Sequence, residues 1–215
     1  VSDYVTGVGV SAFLFTVAAA SLNFVYGYAG LLSFAQLAFW GIGGYCAALT
    51  VMTFGGSFWM GLVYAAVLNA GLAVAVGFPA LRLSRDSFVI VTLSFSLLAF
   101  LIARDWVSLT RGPLGIPGLP SPSFFGLDIK GAWGFYYFAL IFMIAALGVL
   151  YAIVSSRIGR VLLAIKQNEP LAIAQGIAPT PYRLFAFAVS AALTGVAGGI
   201  LVFFMQIVDP LIFDF

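Results

Sequence analysis

The chain has 215 residues, of which 63% are hydrophobic and 7% charged, and its formal net charge is +2. This composition excludes an ordinary soluble domain, in which about 25% of residues are charged. One cysteine and no histidine are present, which excludes a disulfide framework and removes the commonest metal ligand and general base. We therefore expect no metal site.

Long uncharged runs predict membrane spans. No charge occurs between Asp3 and Arg82, and since one span needs about 20 residues, that run holds three spans. Three further uncharged runs follow. We expect an all-α, polytopic helical membrane protein with a single transmembrane domain over 1–215. The six expected spans are roughly 5–26, 34–53, 58–80, 87–104, 133–154 and 184–207.

The basic residues indicate the orientation. The loop 82–86 and the polar segment 155–183 are separated by two spans, so they lie on one side of the membrane. Together they hold most of the lysines and arginines, and the positive-inside rule places them in the cytoplasm. The loop 105–132 is then outside, and its many glycines and prolines exclude a regular helix. It is either a contact surface for an outside partner or a stiff connector.

The second span has a start signal. Ser33 and Gln36 fit a capping box, directly after a glycine-containing break at 27–30. In lipid such a break persists only where it is buried in protein or lines a wet cavity, and a helix N-terminus there favours an anionic group. An amino-acid carboxylate fits that description. The alternative is an ordinary turn at the membrane surface.

A few polar residues in the spans are candidates for a substrate pathway. Thr92 and Ser96 follow a helical stripe with Ala99 and Ala103 in the fourth span. Each polar group has an alternative role, a hydrogen bond to a neighbouring helix. The predicted pathway residues are Asn23, Gly30, Ser33, Gln36, Thr92 and Ser96.

Small residues recur every four positions in two spans, which predicts close helix packing in the bundle or at a subunit interface. They are Gly61, Ala65, Asn69, Ala73 and Gly77 in the third span, and Ala191, Gly195 and Gly199 in the sixth.

The segment 155–183, called the polar island below, stands out in so apolar a chain. It contains the only glutamate, Glu169, and several basic residues, but also apolar residues such as Ile165 and Ile177. This mixture fits short amphipathic helices that bind a partner's groove, and Pro170 is placed to start one of them. The alternative is a solvated basic loop that only sets the topology.

Four collinear motifs resemble the permease subunits of ABC importers, in the branched-chain amino-acid class. The first is Gly27-Tyr28-Ala29-Gly30-Leu31-Leu32-Ser33 with Asn23 before it and Gly41-Ile42-Gly43 after it. The others are Leu81-Arg82-Leu83 with Ile90-Val91-Thr92-Leu93, Ser108-Leu109-Thr110 with Gly112-Pro113, and Ser156-Arg157-Ile158-Gly159-Arg160 with Asn168-Glu169 and Gly176-Ile177. Ser94 and Ser96 depart from the family pattern, which often has glycine and an acidic residue there. The family continues with further spans, so we expect an incomplete importer permease domain.

The resemblance implies alternating access in an ATP-driven importer of a bacterial or archaeal cytoplasmic membrane. The implied partners are a second permease subunit, two cytoplasmic ATP-binding subunits, an extracytoplasmic solute-binding protein and membrane lipid, with no nucleic acid. The resemblance also implies a transporter subunit that is not an enzyme and has no catalytic site of its own. No cofactor is expected on this chain; ATP and Mg would be held by the ATPase subunits. The residues implied to couple to the ATPases are Arg157, Gly159, Arg160, Ala164, Ile165, Asn168, Glu169 and Gly176.

Several functions remain open from the sequence. The solute is either a branched-chain or related amino acid, or urea, an amide or another small polar molecule. An ion-coupled secondary transporter would normally carry a membrane-buried acid or histidine, and none is visible in the predicted spans. A purely structural membrane subunit would bind no ATPase through the polar island.

Overall fold

The computed structural model describes residues 2–83, 85–120, 123–124, 127–128 and 132–210. Parts of the loops 82–86 and 105–132 and the side chain of Arg85 lie outside this description.

The described part of the chain is dominated by helices. In chain order they are α1 (Ser2–Asn23), α2 (Gln36–Met52), α3 (Phe58–Ala80), α4 (Arg85–Asp105), α5 (Val107–Thr110), α6 (Ala132–Ser155), α7 (Arg157–Gln167), α8 (Glu169–Ala174) and α9 (Pro179–Met205). A π-helical turn, Phe24–Ala29, continues α1, and a 3₁₀ turn covers Gly112–Leu114. Two-residue strands complete the structure: β1 (Ile116–Pro117), β2 (Ser123–Phe124), β3 (Leu127–Asp128) and β4 (Ile207–Val208).

The helices confirm the predicted all-α, polytopic membrane fold. Among the described residues, five helices are long and apolar enough to cross a membrane, and α2 is an apolar helix of 17 residues. The fourth span is longer than expected. It runs for 21 residues, because helical backbone continues through the charged residues at both ends, Arg85 and Asp105.

α9 is the central helix of the bundle, and it packs against α1, α2 and α3. In its most apolar stretch 67% of the residues are buried, against 17–33% in the other long helices. Small residues allow this close packing, because a Cβ on Gly43 of α2 would overlap the backbone of Gly195. The predicted packing faces are confirmed, since all their members in α3 and α9 are buried.

One aromatic cluster fixes the end of the bundle nearest α7. Phe39 of α2 and Phe88 of α4 both pack on Phe187 of α9, with ring centroids 5.4 and 5.6 Å away. All three rings are buried, and so is Leu162 of α7 in the same cluster. The start of α9 is thereby joined to the polar island.

The opposite end of the bundle is tied by a small sheet. β1, from the loop after α4, pairs antiparallel with β4, directly after α9. α9 has 27 residues and is therefore about 40 Å long. This sheet and the polar island thus lie at opposite ends of α9, as the predicted topology requires.

Candidate functional site

The polar island folds as two short helices with capped ends. Ser156 begins α7: its Oγ accepts a hydrogen bond from the Ile158 N–H at 3.1 Å. Asn168 begins α8: its Oδ1 accepts from the Leu171 N–H at 3.0 Å. Pro170 lies in the first turn of α8, as predicted, where its missing N–H costs nothing. The side chains of the island therefore specify where each helix starts.

α7 lies flat against the bundle. Leu162 and Ile165 are fully buried, whereas Arg157 and Arg160 are exposed. Gly159 is also buried. It packs so closely on the C-terminal end of α6 that a Cβ there would overlap the α6 backbone. One face of α7 thus contacts the transmembrane helices, and Arg157 and Arg160 lie on its exposed side.

α8 presents apolar side chains outward. Leu171 and Ile173 are each 55% exposed. The helix ends in a Schellman motif, in which Gly176 has φ +81° and the Ile177 N–H donates to the Ala172 carbonyl at 3.0 Å. Exposed large apolar residues in a polar loop are typical of a protein contact surface.

An ion pair fixes α8 to the start of α9. The Arg183 guanidinium donates to both carboxylate oxygens of Glu169, at 2.8 and 2.9 Å. The Arg183 side chain is 8% exposed and that of Glu169 is 32% exposed. A bidentate pair of this kind holds two groups in one geometry, so Glu169 orients α8.

The predicted coupling residues divide into three groups by their burial. Gly159 and Ile165 are buried and would act through the placement of α7 rather than by direct contact. Glu169 is partly buried in its ion pair. The others are exposed and available to a partner: Arg157, Arg160, Ala164, Asn168 and Gly176. Their role in coupling stays a prediction.

The break between α1 and α2 differs from the expected capping box. α2 starts at Gln36, and its N-cap Ala35 makes no side-chain cap. Ser33 Oγ accepts instead from the Ala35 N–H at 3.1 Å. The capping-box prediction is wrong, because the Gln36 side chain is bound by α9. The break itself, residues 24–35, is called the break segment below.

α4 binds the backbone of the break segment. The Phe34 N–H donates to Thr92 Oγ1 at 3.2 Å, and Ser96 Oγ donates to the Phe34 carbonyl at 2.7 Å. Two predicted pathway residues thereby satisfy backbone groups that lipid could not. Their hydrogen bonds also bring Thr92 and Ser96 next to Ser33.

Gln36 connects the start of α2 to the middle of α9. Its amide donates to Ser190 Oγ at 2.5 Å and accepts from Thr194 Oγ1 at 2.8 Å. Ser190 Oγ in turn donates to the Ser21 carbonyl at 2.9 Å. Ser190 lies eleven residues into α9, roughly 17 Å from its start. A buried polar network therefore lies well inside the bundle.

The remaining predicted pathway residues lie at the other end of the break segment. Gly30 has φ +70°, and a Cβ on it would come within 3.1 Å of Lys166 Cγ. Asn23 is exposed and its Oδ1 lies beside Gly27. The structure thus brings Ser33, Gln36, Thr92 and Ser96 together and leaves Asn23 and Gly30 nearer the polar island.

An open apolar groove of 510 Å³ lies between α2, α3 and α4. The polar pathway residues do not line it, whereas Ala99 and Ala103 from the same predicted stripe do. The stripe on α4 therefore divides into a polar half at the break segment and an apolar half at the groove.

Two sets of contacts in this region were not predicted from the sequence: those of Gln36 with α9 and that of Lys166 with Gly27. Ser190 and Thr194 are four residues apart on one face of α9, which is a usable signal for a shared contact. The Lys166 Nζ donates to the Gly27 carbonyl at 2.7 Å. No local sequence pattern predicts the contact between Lys166 and Gly27, because the two residues lie 139 positions apart.

Comparisons with known proteins agree with this architecture. Residues 4–215 match the family model described as "Branched-chain amino acid transport system / permease component". The chain belongs to this family of multi-pass membrane proteins, and it is a permease component.

Two relatives carry the same printed name, high-affinity branched-chain amino acid transport system permease protein LivM. One is from Salmonella typhimurium and the other from Escherichia coli, and each is 30% identical over 94% of this chain and 53% of the relative. The chain spans about half the length of the curated relatives it matches. No solved structure gives a significant match.

Proposed function

We propose that this chain is part of the permease subunit of an ATP-driven importer for branched-chain or related amino acids. The single observation that carries the proposal is the family match over residues 4–215. The printed names of both relatives support the choice of solute class. The chain has no catalytic site of its own in this proposal, and it binds no cofactor.

The proposed assembly contains a second permease, two cytoplasmic ATPase subunits and an extracytoplasmic solute-binding protein. ATP and Mg are held by the ATPases. The assembly lies in a bacterial or archaeal cytoplasmic membrane, with the polar island on the cytoplasmic side, because that side carries most of the basic residues.

The polar island is the proposed ATPase docking site. Leu171 and Ile173 on α8 supply exposed apolar area, and the Glu169–Arg183 ion pair holds α8 against α9. An exposed apolar surface in a polar segment suits a partner's groove. Since α8 is bound to α9, a force on α8 acts on the central helix of the bundle.

Transport follows by alternating access. ATP binding draws the ATPases together, which displaces α7 and α8 and tilts the spans, so that the cavity opens to the other side. ATP must bind one state better than the other for this to happen. The network around Gln36, with Ser33, Thr92 and Ser96 nearby, is the proposed place where the pathway passes the break segment.

Purification of the complete protein tests the proposal. A tagged complete protein, extracted from its native membrane, should bring an ATPase with it. Proteoliposomes of that complex should take up labelled leucine, isoleucine or valine when ATP is supplied. Uptake of urea or an amide without leucine uptake would contradict the solute class, and the absence of any ATPase would contradict the importer.

Two matched variants test the docking surface. Leu171→Glu places one negative charge on the proposed apolar contact and should reduce ATPase co-purification at least tenfold. Gln175→Glu adds the same charge at an exposed position at the end of α8 and should leave the complex intact. Equal loss in both would mean that added charge alone, rather than the apolar contact, disrupts assembly.

A further inference from the structure

The break segment begins with an unusual helix end. α1 passes into the π-helical turn Phe24–Ala29, and Gly30 follows with φ +70°. The N–H groups of Gly30 and Leu31 both point back to the Val25 carbonyl. Such π turns are rare and occur frequently at functional sites. The last carbonyls of a helix also lack partners within it, so this end needs outside hydrogen-bond donors.

Lys166 of α7 supplies one of these donors. Its Nζ donates to the Gly27 carbonyl at 2.7 Å and lies 5.9 Å from the centroid of the Tyr26 ring. A cation at a helix C-terminus also interacts favourably with the helix dipole. The stem of the same side chain passes close to Gly30, where a Cβ would be 3.1 Å from Cγ. One side chain from the polar island therefore binds Gly27, lies near the Tyr26 ring and passes beside Gly30.

The other end of the break segment is held by the transmembrane helices. Thr92 and Ser96 bind both backbone groups of Phe34, and Gln36 binds Ser190 and Thr194. The segment thus has one end on α7 and the other on α4 and α9. Between them it has non-helical backbone, with Gly30 in a left-handed conformation.

We infer that Lys166 is a positioning residue, which holds the break segment on α7 so that movement of α7 shifts the start of α2. The transport consequence rests on the proposed function, whereas the holding of the break segment does not. Lys166 acts through Gly27 and Gln36 rather than by contact with solute. Its removal should loosen the break segment without releasing the ATPase.

Hydrogen exchange on the complete protein tests the holding directly. Lys166→Met keeps most of the stem but removes the donor and the charge. It should speed exchange of the Gly30 and Leu31 amides at least threefold. Lys166→Arg retains a donor and should stay near the parent. Gln167→Met, at the neighbouring exposed position, should change nothing. Unchanged exchange in Lys166→Met, or an equal rise in Gln167→Met, would overturn the inference.

Transport by the complete complex tests the consequence. Lys166→Met should keep ATPase co-purification and ATP hydrolysis while uptake per ATP falls at least fivefold, and Lys166→Arg should restore most of it. Normal uptake, or loss of the ATPase from the complex, would overturn the positioning role. A wrong proposed function would give a different set of results. The parent complex would then lack the ATPase or amino-acid uptake, while the difference in hydrogen exchange between the parent and Lys166→Met would persist.

Discussion

Substitutions at two glycines, Gly30 and Gly55, can distinguish the effect of backbone strain from the effect of a side-chain contact. Gly30 and Gly55 both have positive φ, +70° and +62°. A side chain in this left-handed region costs roughly 1–2 kcal/mol. Their surroundings differ, because a Cβ at Gly55 meets nothing within 4 Å, whereas one at Gly30 meets the Lys166 stem. The pair is therefore a natural comparison.

Gly30→Ala should impair transport more than Gly55→Ala. Both substitutions carry the same backbone cost, so the two proteins should lose similar thermal stability in detergent. Only Gly30→Ala also pushes Lys166 away from the break segment, and amino-acid uptake should fall severalfold in that variant alone. Equal uptake in the two variants would show that the break segment tolerates displacement of Lys166.

At the scale of single elements, one ion pair, Glu169–Arg183, attaches α8 to α9. The resemblance to the importer permeases implies that Glu169 takes part in coupling, and a charge reversal at this position would be a direct test. The structure makes that test ambiguous, because Glu169→Lys would put an ammonium beside the buried Arg183. Such a protein would lose the attachment of α8 to α9 as well as any partner contact. Neutral substitutions on both sides of the pair separate these effects.

A double-mutant cycle measures the Glu169–Arg183 attachment. Glu169→Gln, Arg183→Gln and the double variant should give a coupling free energy of about 1–2 kcal/mol, below that of a fully buried pair because Glu169 is partly exposed. Unfolding by sodium dodecyl sulfate in mixed micelles supplies the free energies. A coupling near zero would mean that α8 is placed by packing rather than by this pair.

Much of the fold follows from the sequence at this scale. Charge-free runs located the spans because lipid excludes charges, and the observed ends of α3, Phe58 and Ala80, match the predicted 58–80. The hydrogen bonds of the break segment were harder to predict. A serine and a glutamine three residues apart satisfy a capping box, but they also satisfy contacts to distant helices. The hydrogen bond from Gln36 to Ser190, 154 residues away, shows that the distant contact is formed. A local sequence pattern does not indicate a partner so far along the chain.

Across the whole molecule, the two ends of the bundle differ in charge and construction. One end carries the polar island with Arg157, Arg160 and Lys166 exposed. The other end carries the sheet of β1 and β4. Since α9 runs between them, a movement imposed at the island reaches the far end through one continuous, well-packed helix. The direction in which the bundle crosses the membrane then decides which partner meets which end.

Cysteine labelling should establish that direction. Cys46 is a free cysteine and the only one in the chain, so Cys46→Ala gives a clean background. Leu114→Cys occupies a position that is 84% exposed in the loop after α4, and Gln167→Cys an exposed position at the end of α7. The excess of basic residues at the island end predicts that this end is cytoplasmic. An impermeant maleimide should therefore label Leu114→Cys in sealed cells, and Gln167→Cys only after permeabilisation. Labelling of Gln167→Cys in intact cells would reverse the topology and remove the polar island as an ATPase docking site.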